Sequence, residues 1–350
     1  MTTATTTQTA WIDLVSPSHP FFFRGLVDSL TDVRTEVTVR EKTETVDLAG
    51  ETGFDYTVLG RDFDNTLLRK FGIPLRTMQL AAQAPPASVS LSSRNAMCVL
   101  ASKARGIPSI HFTDNDITAH VDGLGFEELY NRLEAQATHN VVPAAFETSE
   151  LTKWRVDSSR VHTYDGYKED IYVADFEPDP SFPERLPFEE YIVVRPEALD
   201  AAYVSEERSL VPDILREAAE RGIDVVYLPR GRGDEEFTAP YGPSDVYVPE
   251  TALNGLQLAW HSDGVLTGSG TMAREAACMN KPAVSFFPET PLSVDQQMAR
   301  DGDILLTRDH HEIFDYLDAN RGTEGSLGES KRVRDEVGEL VTRIWESIDE

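Results

Sequence analysis

The chain has 350 residues, 40% hydrophobic and 26% charged, a composition that suits two globular domains of ordinary size and not a disordered chain. Against 60 acidic residues stand 32 basic ones, 25 Arg and 7 Lys, and the net charge of −28 repels any long polyanion, so nucleic-acid binding is close to excluded. Acid in such excess with scarce Lys suits the cytosol of an extreme halophile, where at about 1 M salt the Debye length falls to about 3 Å; an acidic mesophilic enzyme is the alternative.

The opening MTTATTTQTA lacks the basic region and apolar core of a signal peptide and reads as a disordered tail, residues 1–10. No apolar run approaches about 18 residues, so no segment is expected to span a bilayer. The expected location is the cytoplasm, with peripheral attachment at a membrane as the alternative. The chain then alternates β-rich runs with helical patterns: strand 11–15 and helix 21–30, strand 36–40 with a helical stretch after it, strand 55–59 and an amphipathic stretch 62–82, strand 88–91 and helix 94–105. Strand 109–112 leads into an acidic loop, 113–116, before helix 126–135 and strand 140–142.

Pro178, Pro180, Pro183 and Pro187, set among acidic residues, make 168–188 a linker. Alternation restarts with strand 191–194, helix 209–221, strand 224–228, helix 251–260, strand 264–267, helix 272–279, strand 283–286 and helix 311–320. A loose stretch, 322–328, precedes a charged terminal helix, 331–348. Cys98 and Cys278 lie in apolar helical contexts without CxxC spacing, which predicts buried, reduced thiols and no structural metal. Strands separated by helices of this length imply βαβ units and parallel sheets. The pattern predicts an α/β chain of two doubly wound Rossmann-like domains facing a cleft, 11–167 and 189–325, with 326–350 as a C-terminal helix. Ligands of such sheets bind beyond the carboxyl ends of the strands.

The sharpest local signal is Thr267-Gly268-Ser269-Gly270-Thr271, between an apolar strand and a helix. Small residues admit a ligand close to the backbone, the helix start offers N–H groups to an anion, and Ser269 and Thr271 add hydroxyls. A phosphate or diphosphate is the natural guest; an ordinary strand-to-helix turn is the alternative. The run is neither a Walker A loop nor a GxGxxG fingerprint. One turn later Glu275, among small apolar residues, has the chemistry to accept both hydroxyls of a ribose, or to pair on the surface with Arg274 or Lys281.

Gly268–Pro288 resembles the nucleotide-binding helix of GT-B glycosyltransferases and of non-hydrolysing UDP-N-acetylglucosamine 2-epimerases. The chain is more closely similar to an archaeal and bacterial family of unknown function placed with those folds. The resemblance rests on Trp11-Ile12-Asp13, Pro17-Ser18-His19 and Phe22-Phe23, then Ile107–Phe112 with Asp114 and Asp116. It continues at Gly166-Tyr167, Pro178-Asp179-Pro180, and Arg195 with Asp200, and runs from about Trp11 to Leu306.

The resemblance implies a GT-B-like protein with a nucleotide-diphosphate sugar in its second domain. Gly268, Ser269, Gly270 and Thr271 would hold the diphosphate and Glu275 the ribose. Arg195 would complement the diphosphate charge, with Arg230 and Arg232 as weaker candidates for the same task. No metal or other cofactor is required, since a helix N-terminus and Arg can neutralise the leaving diphosphate; Asp114-Asn115-Asp116 has a metal-site form but sits in the wrong domain. The first domain would take a glycan or lipid-linked acceptor, with His19, Asp114 or Asp116 as general base and Asp13 structural. His120 stands near a position, Ile117 here, where the family often carries a histidine. The expected function is metal-independent glycosyl transfer in surface glycan or polysaccharide assembly. Alternatives are a nucleotide-sugar 2-epimerase or hydrolase of the same fold, and a non-catalytic nucleotide-sugar binding or assembly partner. The epimerase pattern departs at Ser90–Ser93, at His111–Asp114 and at Arg195-Pro196.

Overall fold

The computed structural model describes residues 8–41, 43–61, 66–197, 208–231 and 233–349. It divides into two compact units, Met1–Tyr172 with Arg332–Glu350, and Val173–Lys331.

The first unit is built on seven parallel strands: β1 Gln8–Leu14, β2 Val33–Glu41, β3 Tyr56–Arg61, β4 Val89–Ser93, β5 Ser109–Phe112, β6 His139–Pro143 and β7 Val161–Tyr164. Their order is β3-β2-β1-β4-β5-β6-β7, so the winding reverses between β1 and β4. Residues Ala10 to Leu14 are fully buried, the continuous burial expected of a strand covered on both faces. On one side Trp11 packs with Leu80, Met97, Cys98 and Ala101 of the flanking helices. Its indole Nε1 donates to Thr38 at 2.9 Å, so the ring's one polar atom is satisfied.

The second unit repeats the plan with β8 Ile192–Arg195, β9 Val225–Tyr227, β10 Val246–Tyr247, β11 Gly264–Thr267, β12 Ala283–Ser285 and β13 Leu305–Leu306. The order is β10-β9-β8-β11-β12-β13, all parallel, and the winding reverses between β8 and β11. Ile192, Val194, Val225, Leu266 and Phe286 from the sheet meet Ile214, Leu215 and Phe314 from the helices in one apolar core. Both cysteines are buried and neither forms a disulfide.

Several elements differ from the sequence expectation. Residues 168–188, expected as a linker, include the helix Lys168–Val173 and a 3-10 turn, Phe182–Arg185. Within the second unit this stretch docks on the helix Gly255–His261: Asp179 N donates to Gln257 Oε1 at 3.0 Å and Gln257 Nε2 donates to Glu177 O at 2.8 Å. The helix expected from Thr251 begins at Gly255, because Asn254 Oδ1 accepts from the backbone of Leu256 and Gln257 and sets the N-terminus there. The helix Ser293–Asp301 was not expected, since it buries only Val294 and Met298 among its apolar residues. The terminal helix Gly328–Asp349 rejoins the first unit from Arg332, burying Val333, Val337, Val341 and Trp345 on a helical stripe. There Gly338 lies so close to Ser29 that a Cβ would stand 2.5 Å from its Oγ. Among the described residues no helix is long and apolar enough to cross a membrane.

Candidate functional site

At a reversal of winding, the loops leaving two adjacent central strands run in opposite directions and open a crevice beyond their carboxyl ends. In the second unit that crevice is a pocket of about 490 Å³. Arg195, the last residue of β8, lines it, with Leu228 and Pro229 beyond β9 and the loop 249–253 beyond β10. Gly255, and Ser269, Thr271, Met272 and Glu275 from the turn after β11 and the first turns of the helix Gly270–Cys278, supply the remaining wall. Four residues singled out in the sequence, Arg195, Ser269, Thr271 and Glu275, therefore share one cavity.

The turn is shaped by what its glycines exclude. A Cβ on Gly268 would stand 2.5 Å from Glu197 Cα, so only glycine lets β11 pass the chain leaving β8. Glu197 is itself buried, accepting from Ser209 Oγ at 2.7 Å and Leu210 N at 3.0 Å and pairing with Arg308 at 2.9 Å. At Gly270 a Cβ would come within 3.0 Å of Arg274 Nη1, the atom that pairs with Asp295 at 2.7 Å in a buried ion pair. Both glycines thus serve close packing and do not line the pocket. Ser269 is the N-cap residue but its side chain makes no capping bond; its backbone N donates to Thr267 Oγ1 at 2.9 Å. The N–H groups of the first helical turn have no intrahelical acceptors, which makes this end of the cavity suited to an anion.

Of the surface partners considered for Glu275, Arg274 Nη1 also donates to Asp295 at 2.7 Å and Lys281 Nζ to Thr323 O at 3.2 Å. Glu275 is half-buried on the pocket wall. Arg230 is tied to the backbone, its Nε donating to Pro196 O at 2.8 Å, and does not line the pocket. Arg232 and Asp200 lie outside the described residues. Glu250 and Thr251 on the pocket wall were not foreseen. The two-residue strand β10, followed by Pro249, gives too short an apolar run to mark a strand end.

The first unit gathers a second set of polar groups near its strand ends. Asp13 and Thr38 are register partners, as are Ser92 and His111, and His111 and Asn140, so a buried polar row crosses β2, β1, β4, β5 and β6. Ser92 Oγ lies 2.8 Å from His111 Nδ1, and His111 Nε2 lies 3.6 Å from Glu134 Oε1. Arg94, at a left-handed φ of 42°, donates to Glu134 and Asn131 at 2.7 Å and to Glu127 at 2.9 Å. Burial pushes the Glu134 carboxyl up, but Arg94 and His111 outweigh it and hold the group below its usual range. This network was not foreseen, because its members are scattered from 92 to 140 with no motif spacing.

His19 opens the helix His19–Asp28 and is buried, its Nδ1 accepting from Val15 N at 3.4 Å. Burial, with the nearby charges of Lys168, His111 and Arg94 outweighing Asp114, lowers its pKa from 6.5 to about 3. It is a neutral, weakly basic imidazole at neutral pH, poorly matched to general-base work there. Asp116 is fully buried and accepts from Glu147 N at 2.9 Å, pinning the following loop, so structure accounts for it. Asp114 pairs with Lys168 at 3.0 Å, beside His19.

The depressed pKa of His19 carries a sign. Between pH 6.5 and about 3 the unfolded chain binds a proton at this position and the native chain does not. Stability should therefore fall as pH drops through that window, by up to about 1.4 kcal/mol per pH unit from this group. The variant His19→Gln, which keeps an acceptor for Val15 N, should show a shallower acid dependence in denaturant titrations between pH 7 and 4. Parallel curves would mean that the imidazole is protonated in the native state.

A curated relative, the uncharacterized protein MJ0665 of Methanocaldococcus jannaschii, is 30% identical over 132 residues, which are 37% of this chain and 38% of that protein. The match thus spans well under half the length of the relative. Among solved structures, the UDP-GlcNAc 2-epimerase of Neisseria meningitidis, bound to UDP-GlcNAc, superposes with a TM-score of 0.67 at 14% identity, covering 96% of this chain and all 100% of that one. The spinosyn forosaminyltransferase SpnP superposes with a TM-score of 0.63 at 15% identity, covering 99% and 100%. At such identities the likeness is one of fold: two parallel-sheet α/β domains of the GT-B-like type. Residues 8–348 match a single family throughout, and the chain belongs to that family, described as Protein of unknown function (DUF354).

Proposed function

We propose that this protein binds a nucleotide-diphosphate sugar in the pocket of the second unit and acts as a metal-independent glycosyltransferase. The observation that carries the reading is the convergence of Arg195, Ser269, Thr271 and Glu275 on one cavity at the reversal of winding. A diphosphate would meet the helix start and Arg195, a ribose would meet Glu275, and the base would rest on Leu228, Pro229 or Met272. In transfer, an acceptor hydroxyl attacks the anomeric carbon, the bond to the diphosphate oxygen breaks, and a base takes the hydroxyl proton. Of the three bases expected in the first unit, His19 is too weakly basic and Asp116 holds a loop, while Asp114 is buried and paired with Lys168. A cytoplasmic setting and a glycan or lipid-linked acceptor remain part of the proposal.

A second reading is chemistry on the sugar of the donor alone, as epimerase or hydrolase. It is favoured by the superposition on the Neisseria enzyme, whose structure holds UDP-GlcNAc. Incubating the protein with UDP-GlcNAc and no acceptor, followed by NMR of the sugar, separates the two. Epimer or free sugar would favour the second reading, and unchanged donor that is consumed only with an acceptor would favour transfer.

Binding has its own test. Glu275→Ala should weaken UDP or a UDP-sugar by about 1.5–3 kcal/mol, the worth of hydrogen bonds to a charged group, with the fold preserved. Calorimetry in molar KCl that finds equal affinity in variant and wild type would remove the ribose assignment.

A further inference from the structure

Away from the pocket, the second unit brings two imidazoles and a carboxylate to one point. Glu217 lies on the helix Val211–Arg221, and His310 and His311 are the first two residues of the helix His310–Ala319. Asp309 fixes that helix start, its carboxylate accepting from His311 N at 2.9 Å. Both Nδ1 atoms turn to the same carboxylate: His310 Nδ1 is hydrogen-bonded to Glu217 Oε2, and His311 Nδ1 lies 3.1 Å from Oε2 and 3.4 Å from Oε1. One ligand atom from each residue lies within 4.8 Å of the others. None of the three lines the pocket.

We infer that Glu217, His310 and His311 form a binding site for one divalent transition-metal ion of the zinc class. Around a tetrahedral ion with bonds of about 2.0–2.1 Å, ligand atoms stand roughly 3.3–3.5 Å apart, close to the separations from the carboxylate to His311. Two imidazole nitrogens and one carboxylate oxygen match Zn²⁺, Co²⁺ or Ni²⁺ and not the all-oxygen shells that Mg²⁺ and Ca²⁺ take. A bound ion would take the place of the Nδ1 proton that each ring now turns to the carboxylate: each imidazole would then carry its proton on Nε2 and offer the Nδ1 lone pair. His311 is 71% exposed, so water reaches the fourth position.

Arg221 is the objection to a cation here, and its contacts answer it. It donates to Glu217 Oε1 from Nη2 at 2.7 Å and from Nε at 3.1 Å, so it fixes the carboxylate with Oε2 toward the imidazoles. Its charge is matched by Asp318 at 2.8 Å, and its guanidinium lies 5.0 Å from the centroid of Phe314. With Glu217 and Asp318 against Arg221 the local sum is negative, on a chain of net charge −28. A bound ion would clamp the two helices together where they pack.

The test titrates chelator-treated full-length protein with Co²⁺ in molar KCl, following the visible absorption of the ion, and then displaces it with Zn²⁺. One equivalent per chain with a tetrahedral spectrum is expected in the wild type, and Zn²⁺ should raise the melting temperature. The exposed His311→Ala and the double variant His310→Ala/His311→Ala should lose the band and the thermal shift, and Glu217→Gln should weaken both. The variant His139→Ala, which breaks a separate histidine pair 3.0 Å apart, should bind as the wild type does. No stoichiometric band, a band that survives the double variant, or one lost in His139→Ala would overturn the assignment.

Discussion

Asp13→Ala is expected to cost about 3–5 kcal/mol of stability, the effect of breaking a buried ion pair from one side. Both Asp13 oxygens meet Arg76, at 2.8 and 2.9 Å, while Asn95 Nδ2 donates to Oδ2 at 2.7 Å and Thr38 Oγ1 to Oδ1 at 2.6 Å. The carboxylate is fully buried and the Arg76 side chain only 4% exposed. Alanine leaves the Arg76 guanidinium without its carboxylate in a dry interior, while Asn95 Nδ2 keeps only the Asp13 carbonyl at 3.1 Å and Thr38 Oγ1 only the Ile12 carbonyl at 3.5 Å. Against a total stability of about 5–15 kcal/mol, that loss threatens the first unit outright. The pair is not worth that much in itself: Asp13→Leu with Arg76→Met removes both charges and should recover most of the stability. Denaturant midpoints of the single and double variants measure both. A single-variant loss below about 1 kcal/mol would mean that Asp13 is not the anchor of this cluster.

The location of Asp13 was legible in the sequence and its partners were not. A run such as Trp11-Ile12-Asp13-Leu14, apolar but for one acid, marks a buried strand, and the acid near its end marks a place where charge meets the interior. Arg76 lies 63 residues away, and no local rule reaches that far. The same limit separates the two candidate sites. In the second unit the signal at Gly268–Glu275 is local, a turn and the first turns of its helix, so Ser269, Thr271 and Glu275 followed from chemistry and topology, whereas Arg195 came from the family resemblance. The wall formed by 249–253 depends on where a two-residue strand ends, which apolar periodicity cannot mark.

In the first unit, reading each acid or histidine at a strand end as a catalytic candidate overlooked burial. His19 and Asp116 sit at the expected ends of the fold, yet one is a desolvated imidazole and the other a buried acceptor for a loop. Residue type and topology supply the position of a group, while its protonation and freedom come from neighbours distant in sequence. The pairing of His111 with Ser92 and Glu134, and of Arg94 with Glu127, Asn131 and Glu134, has that character. Arg94 carries its permanent charge into that network from the residue next to β4, the strand at which the winding reverses.

The second large expected effect is a loss of stability on dilution of salt. The excess of 28 negative charges over an accessible surface of 16963 Å² leaves one unbalanced charge per roughly 600 Å². The mean repulsion felt by each grows in proportion to the Debye length, which lengthens from about 3 Å at 1 M to about 10 Å at 0.1 M. Summed over the surface, the change is on the order of a few kcal/mol against the compact state, since the unfolded chain spreads the same charge more thinly. Exposed pairs such as Arg24–Asp28 and Arg332–Glu336 strengthen as salt falls, but each is worth about 0–1 kcal/mol and every Arg so used leaves the acid excess unchanged. Repulsion therefore wins. A few kcal/mol corresponds to a fall in melting temperature of about 10 °C, at roughly 2–4 °C per kcal/mol for units of this size. Melting curves in KCl from molar to 0.1 M test the halophilic reading directly. An unchanged midpoint across the KCl series would leave the acid excess without a role in stability and return the chain to the class of ordinary acidic proteins.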